Sequence, residues 1–332
     1  MRLGKIITRQ ILSPLGMLLK GDKFLRNMSR HNIINIMYHG VVSDDSTYFS
    51  PRHIHIDQFE KQIKYLKKEF DVLTIEEAFE LKKNGSTSKN KAITITFDDG
   101  YMNNLYAALP ILEANSVNAT FYISSICIED SNYVLWSDLI AALKYFYKNE
   151  TLEIEIQKLF HLNTFNLSIT DLIKSLKFGE RETFLEQLIE KYNLISKIKT
   201  LPEEIWRLMN KEELIQLSKS KCVTIGSHGH LHYNLSNISK EDARSELSKS
   251  KNLLESNLGV NITSVAFPDG SYDQEIKEIA LSLGYQHQLA VNYKLPNDKN
   301  DISILNRHGI SSTTTFESNI LLLSKSFKTK GF

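Results

Sequence analysis

The chain has 332 residues, 42% hydrophobic and 24% charged, a globular composition that can bury a core without disulfides or structural metal. Its 40 basic and 39 acidic residues nearly cancel, which excludes the strongly basic surface typical of nucleic-acid-binding proteins. Cys127 and Cys222 lie far apart and outside any metal-binding or redox spacing, so we expect two free thiols.

The first 30 residues differ from the rest in charge and pattern. They contain seven basic residues and one acid, Asp22, interleaved with Ile and Leu. Arg9 and Gln10 interrupt the apolar run, no small-residue cleavage site follows, and no stretch reaches the roughly 18 apolar residues of a membrane span. We therefore expect a cytoplasmic protein. Two interpretations of residues 1–30 stay open: a helix packed on the body of the protein, or a basic amphipathic segment in peripheral contact with an anionic membrane.

Short apolar strands alternate with helices through the first 125 residues. The pattern predicts strands at 33–38, 71–74, 92–97 and 119–124, and helices at 56–70, 75–82 and 104–115. Asp57 is the predicted N-cap of the first of these helices. Pro110 predicts a kink or an early break in the third.

The composition then changes to Leu, Ile, Lys and Glu with helical periodicity. Helices are predicted at 138–147, 169–176, 181–192 and 211–220. Strands resume at 222–226, 264–267, 288–292 and 302–306, with helices at 240–258 and 274–283 that end before Gly259 and Gly284. We predict a basic N-terminal segment (1–30), a barrel built from 31–128 and 215–332, and a helical insertion within it (129–214).

The strand–helix alternation favours a parallel β/α architecture, in which the loops after the strands build the active site. Asp98 and Asp99 directly follow the predicted strand 92–97. Adjacent carboxylates at the end of a buried strand are costly to desolvate, and a bound cation would remove that cost. A plain turn at Asp99-Gly100 explains the pair equally well.

A second polar cluster, Ser227–His232, contains three of the ten histidines. His228 and His232 are four residues apart and would share a face if a helical turn begins here. Two imidazoles and one carboxylate suit zinc and similar divalent metals. Such a metal activates water near neutral pH, and the carboxylate that is not a ligand is a natural general base.

The segments Thr96–Gly100 (TFDDG) and Ser227–His232 (SHGHLH) resemble the first two motifs of the polysaccharide deacetylases, also called the NodB-homology group or carbohydrate esterase family 4. Met37–Val41 (MYHGV) and Ala266–Tyr272 (AFPDGSY) are similar to further segments of that family. The resemblance covers roughly residues 33–125 and 221–311. It implies an α/β fold, a distorted (β/α)7 barrel carrying the helical insertion.

The resemblance also implies a reaction and its residues. The activity would be metal-dependent hydrolysis of acetyl groups, most often N-acetyl, from a sugar or glycan such as a surface-polysaccharide precursor. By their motif positions Asp98 would be the catalytic base, and the ligands of a divalent metal, typically zinc, would be Asp99, His228 and His232. The turn Pro268, Asp269 and Gly270 would line the substrate groove, with the backbone N–H of Asp269 near the oxyanion.

Some positions depart from the family pattern. The arginine that usually precedes the third motif's proline is replaced by Ala266, and Arg307 is our candidate to hold the catalytic aspartate instead. His308 is the nearest candidate for the general acid, unless it is only a polar residue at the end of a strand. His39 either faces the substrate or bonds backbone at the barrel rim.

Two other functions remain open from the sequence. One is a metal-dependent amidohydrolase that acts on a non-sugar amide. The other is an inactive carbohydrate-binding relative, against which the intact residues Asp98, Asp99, His228 and His232 argue.

Overall fold

The computed structural model describes residues 12–27, 33–44, 48–85, 91–147, 152, 155–156, 168–310 and 312–329. Its strands are β1 Ile33–Tyr38, β2 Gly40–Val42, β3 His53–His55, β4 Asp71–Leu73, β5 Ala92–Phe97, β6 Ala119–Ile123, β7 Val223–Ser227, β8 Ser264–Ala266, β9 His287–Ala290 and β10 Ile304–Gly309. The α-helices are α1 Ser13–Leu18, α2 Gly21–Asn27, α3 Ile56–Glu69, α4 Ile75–Lys83, α5 Leu109–Ala114, α6 Ile126–Glu129, α7 Trp136–Phe146, α8 Ile169–Ser175, α9 Glu180–Tyr192, α10 Leu194–Ile198, α11 Lys211–Ser218, α12 Lys240–Leu258, α13 Gln274–Ser282 and α14 Phe316–Thr329.

Seven parallel strands close into a barrel in the order β1, β10, β9, β8, β7, β6, β5, after which β5 pairs with β1. β4 lies outside the ring and pairs with the first half of β5, whereas β6 pairs with the second half. The predicted (β/α)7 barrel is therefore confirmed. All strands of the ring run in the same direction, so their carboxyl ends meet at one rim.

The strands β1 (IINIMY) and β5 (AITITF) are buried along their whole length. Strands of a parallel barrel contact the interior on one side and the surrounding helices on the other, which explains why both sequences are apolar without alternation. The polar side chains among them have hydrogen-bond partners: Thr94 Oγ1 donates to Asn35 Oδ1 at 2.8 Å, and Thr96 Oγ1 donates to the Ile36 carbonyl at 2.8 Å.

Two local details of the helices can be compared with the sequence predictions. The predicted N-cap Asp57 is wrong, because α3 begins at Ile56 and the side chain of His55 accepts a hydrogen bond from the backbone N–H of Asp57. The helical segment predicted at 104–115 changes from π to α geometry next to Pro110 and does not break there. A π-helical turn ends at Ala108, and Pro110 lies in the first turn of α5, where no backbone N–H is required.

The helices between β6 and β7 have a hydrophobic cluster distinct from the barrel core. Its members include Trp136, Leu143, Leu188 and Trp206, and Val42 and Phe49 from the segment after β1 join them. The helical segment is therefore tied by apolar contacts to the rim of the barrel. The exact division at 129 and 214 stays a prediction.

Candidate active site

Asp98 and Asp99 follow β5 at the carboxyl rim and are both buried. The backbone N–H of Asp98 donates to the carbonyl of Tyr38, which extends the β1–β5 pairing by one residue. Asp99 and Gly100 both have positive φ angles, 77° and 94°. A left-handed non-glycine residue is strained, and here the turn points the two neighbouring carboxylates in different directions.

The histidine cluster forms a loop after β7, so the prediction that a helical turn brings the two imidazoles together is wrong. Gly229 (φ 75°) and His232 (φ 58°) are left-handed, which is not helical backbone. The rings of His228 and His232 nevertheless come to 4.9 Å between centroids.

Asp99, His228 and His232 form a three-residue cluster at the rim. Asp99 Oδ1 lies 3.4 Å from Nε2 of His228 and 3.2 Å from Nε2 of His232. This buried oxygen accepts no hydrogen bond. Nδ1 of His228 lies 2.8 Å from the Ala266 carbonyl. When Nδ1 of the neutral ring carries the proton and donates it to this carbonyl, the lone pair of Nε2 is free to bind a ligand. An orphaned carboxylate oxygen that faces two imidazole nitrogens fits a divalent metal.

The protonation of this cluster follows from its charges. Burial favours the neutral form of Asp99, but the nearby imidazoles of His228 and His232 outweigh it and hold the pKa of Asp99 well below its usual range. Burial likewise opposes protonation of His232, yet its contact with Asp99 raises the pKa of His232 above the ordinary value. The cluster therefore contains an ionised carboxylate, which is the form that binds a cation.

Asp98 is held by Arg307, which lies on β10. The guanidinium donates to both carboxylate oxygens, at 2.6 and 2.8 Å, and a third bond of 3.2 Å reaches Thr96 Oγ1. Burial raises the pKa of Asp98, but the charge of Arg307 outweighs it and lowers the pKa below the ordinary value. Asp98 Oδ2 also lies 3.9 Å from His228 Nε2, so this ionised carboxylate borders the cluster of Asp99, His228 and His232.

The loop that contains His232 is held from two sides by buried charged residues. On one side, a carboxylate oxygen of Glu246 accepts hydrogen bonds from the backbone N–H groups of His230 and Leu231, at 3.2 and 2.9 Å. On the other, Arg181 of α9 donates to the carbonyls of Leu231 and His232, at 2.8 and 2.9 Å. Sequence patterns indicated neither residue, because both act on backbone groups distant along the chain.

Like Arg181, Arg52 is a cationic residue near the site that the sequence patterns did not indicate. Its guanidinium lies 3.8 Å from Asp99 Oδ2 and donates a very short hydrogen bond to Asp138 of α7. Tyr101 donates to the other oxygen of Asp138 at 2.8 Å. Burial raises the pKa of Asp138 to about 6 although Arg52 opposes this. The network connects the helical segment to a candidate metal ligand.

A cavity of about 650 Å³ opens over these residues. Asp98, Asp99, His228 and His232 form part of its wall, together with His39, Arg52, Asp269 and Gly270 from the barrel rim. The helices α7 and α8 supply the opposite wall, which includes Trp136, Lys144, Tyr145 and Lys174. The size suits one or two sugar rings, and aromatic side chains with polar groups between them are common in sites for such ligands.

The remaining predicted residues fall into two groups. Asp269 lines the cavity in a left-handed conformation (φ 54°) and pairs with Lys174 at 2.7 Å, whereas its neighbour Pro268 is buried and does not line the cavity.

His308 is not brought to the site. Its Nδ1 lies 2.7 Å from Ser326 Oγ of α14, on the outer side of β10. Successive side chains of a strand point to opposite faces, so the inward position of Arg307 requires the outward position of His308.

Comparison with known proteins agrees with this geometry. The family model described as polysaccharide deacetylase matches residues 85–287. The chain belongs to the polysaccharide deacetylase family. No curated protein matches it significantly.

Solved structures of deacetylases resemble the whole barrel. IcaB from Ammonifex degensii superposes with a TM-score of 0.59 at 14% identity, over 90% of this chain and 98% of that one. A de-N-acetylase from Aggregatibacter actinomycetemcomitans gives 0.57 at 18% identity, over 89% and 99%. A Streptococcus pyogenes deacetylase in complex with acetate gives 0.56 at 18%, over 87% and 96%. At these identities the likeness establishes a shared fold.

Proposed function

We propose that this deacetylase hydrolyses the N-acetyl group of an amino sugar within a glycan or glycan precursor, and that it requires a divalent metal, most suitably zinc. The observation on which the proposal rests is the placement of Asp98. Its carboxylate is ionised, fixed by Arg307 and adjacent to the cluster of Asp99, His228 and His232. Family membership supplies sugar deacetylation, and the metal and the N-acetyl preference are our additions.

Asp99, His228 and His232 would hold the metal, which supplies Lewis acidity toward the acetyl carbonyl and the attacking water. Asp98 takes the proton of the attacking water. The two hydrogen bonds from Arg307 hold the Asp98 carboxylate in one orientation, so little reorganisation is needed when the proton moves. The backbone N–H of Asp269, at the barrel rim, is our candidate donor to the oxyanion that develops on the carbonyl.

The leaving amine requires a proton, and we assign its delivery to His39. Among the residues that the structure describes, His39 is the one imidazole that lines the cavity besides the two candidate ligands. Burial lowers the pKa of His39, while the charges of Asp99 and Asp98 oppose this. A lowered pKa favours the neutral ring at pH 7, so His39 would act as the acid only after it has taken up a proton, and the imidazolium then gives that proton up readily.

The substrate side of the cavity is formed by the helical segment. Trp136 and Tyr145 offer aromatic surface and Lys144 adds positive charge, whereas the charge of Lys174 is paired with Asp269. This combination supports an acetylated sugar that carries a nearby anionic group, such as the phosphate of a lipid-linked or nucleotide-linked precursor. Uncharged acetylated glycans are the comparison substrates.

The proposal is tested by acetate release from a panel of N-acetylated glycans, O-acetylated glycans and simple acetamides, with and without a chelator. We expect release from N-acetylated sugars, loss on chelation, and recovery when zinc is added back. Preference for simple acetamides would assign the site to a non-sugar amidohydrolase. Stoichiometric metal with no release from any substrate would contradict the catalytic role.

The matched variant is Asp98→Asn, which preserves size and removes the base. It should retain metal, measured by elemental analysis, and lose about 10²–10⁴-fold in turnover. Full turnover by this variant would refute the assigned base. The metal assignment is tested separately, by the metal content of the same variant.

A further inference from the structure

The helices α1 and α2 form a pair on the outside of the barrel, and one face of the pair is attached to it. Ser13 lies in hydrogen-bond distance of Ser318 on α14, at 2.8 Å between the hydroxyl oxygens. Gly16 faces Leu321, where an added Cβ would come within 3.2 Å of the leucine side chain. Asp22 of α2 accepts a hydrogen bond from Tyr65 of α3. The small and polar residues of the pair therefore contact the protein.

The opposite face of the pair exposes large apolar side chains. The exposed fractions are 53% for Leu12, 48% for Leu15, 79% for Leu18, 71% for Leu19 and 65% for Phe24. Leu12, Leu15 and Leu19 follow the helical period, so they form one stripe with Leu18 and Phe24 beside it. Single exposed leucines are ordinary, whereas five within thirteen residues form a patch that marks an interaction site.

The charge of this region indicates what covers the patch. The first 30 residues contain seven basic residues and one acid, although the whole chain has a net charge of only +1. Lys20 and Lys23 lie between the exposed leucines and Phe24 in the sequence, and both are exposed. Apolar side chains bordered by cations match a bilayer whose surface carries anionic headgroups. A second copy of the chain would bring two basic patches together, which is unfavourable.

We propose that α1 and α2 form a peripheral docking surface for an anionic phospholipid bilayer. Leu18, Leu19 and Phe24 enter the headgroup region, and Lys20 and Lys23 contact the lipid phosphates. No helix in the described part of the chain has the length and apolar composition to cross a bilayer. In this proposal α1 and α2 lie on the bilayer surface. This inference does not depend on the proposed reaction.

The test is flotation of the full-length protein with vesicles of phosphatidylcholine alone or with 30% phosphatidylglycerol, at about 0.1 M and 0.5 M salt, where the screening length falls from about 10 Å to roughly half. We expect binding to the anionic vesicles at low salt, with at least a tenfold loss at high salt or on neutral vesicles. The triple variant L18S/L19S/F24S should lose at least tenfold in partitioning. The control V260S/L281S/I302S removes three exposed apolar residues elsewhere and should bind as the parent does.

Several results would overturn the proposal. These are no binding to either vesicle, equal and salt-insensitive binding to both, or unchanged binding by L18S/L19S/F24S. Light scattering of the same samples identifies the alternative occupant: a dimer that the triple variant converts to a monomer, without vesicle binding, would assign the patch to self-association. Circular dichroism of both triple variants, with melting temperatures near that of the parent, excludes misfolding as the cause of lost binding.

Discussion

Arg307 and Asp98, 209 residues apart in the chain, form a fully buried two-point ion pair with distances of 2.6 and 2.8 Å. The pair joins β10 to the end of β5 across β1. It orients the proposed base, and the burial of Arg307 keeps water from replacing the guanidinium.

Substitution of Arg307 should affect both rate and stability. Arg307→Lys keeps the charge but not the planar fork, so we expect turnover to fall by about 10²-fold with metal content unchanged. Arg307→Met leaves a buried carboxylate without its partner and should cost about 3–5 kcal/mol in the free energy of unfolding. Acetate-release kinetics and denaturant unfolding measure the two effects. A Lys variant with the parent's rate would show that the fork is not needed.

If Asp99, His228 and His232 bind zinc, the metal should stabilise the folded protein, and this effect can be measured without an activity assay. Binding of zinc to the native state alone should raise the melting temperature, and EDTA should lower it. His228→Ala and His232→Ala should abolish this shift and lose the metal. His230→Ala is the matched control from the same loop, since its Nδ1 bonds Ser125 instead. An equal zinc shift in His228→Ala would contradict the ligand assignment.

Arg181 should control metal affinity from outside the cluster. Its bonds to the carbonyls of Leu231 and His232 hold the left-handed backbone at His232. Arg181→Met should weaken zinc binding by roughly 10–100-fold, as is usual when groups that orient a ligand are lost. Competition with a chromophoric chelator measures this. Arg207→Met, which removes an ion pair with Glu213, is the control and should bind zinc normally. Equal affinities in the two variants would assign Arg181 a purely structural role.

Glu246 should make stability depend on pH. Burial raises its pKa to about 7, against about 4.5 for an ordinary glutamate. The native state then holds more protons than the unfolded state between these values, so the free energy of unfolding falls as pH rises from about 4.5 to 7. Glu246→Gln should remove this slope, worth on the order of 2–3 kcal/mol. Urea unfolding at pH 4.5, 6 and 7.5 tests it, and parallel profiles for parent and variant would contradict the raised pKa.

His39, which follows β1, and His308, which lies in β10, should differ in their effect on catalysis. His39→Gln should lower turnover by about 10²-fold with metal retained, because His39 lines the cavity. His308→Gln should leave turnover within about twofold of the parent, since its side chain bonds Ser326 on the outer face. Steady-state kinetics on the best N-acetylated substrate decide between them. A large loss in His308→Gln with a normal His39→Gln would reverse the assignment.

The local sequence determined the parallel β/α architecture and the identity of the candidate ligands, and the family resemblance implied the seven-unit barrel. Apolar runs of strand length, each followed by a polar cluster, predict parallel strands with a site at their carboxyl ends, and that prediction needs only neighbouring residues. Asp98, Asp99, His228 and His232 could be named for the same reason. The observed left-handed turns at Asp99 and His232 do not follow from these motifs, although they are what aims the side chains.

Tertiary structure alone decided which long-range partners complete the site. Whether Arg307 or His308 faces inward depends on the register of β10, and a shift of one residue would exchange them. Arg181, Glu246 and Arg52 act across loops that no periodic pattern connects to the ligands. The exposure of Leu18 and Phe24 likewise depends on which face of the helical pair meets α14. A short motif determines chemistry because its atoms are neighbours in the chain, whereas these contacts exist only after distant segments have packed together.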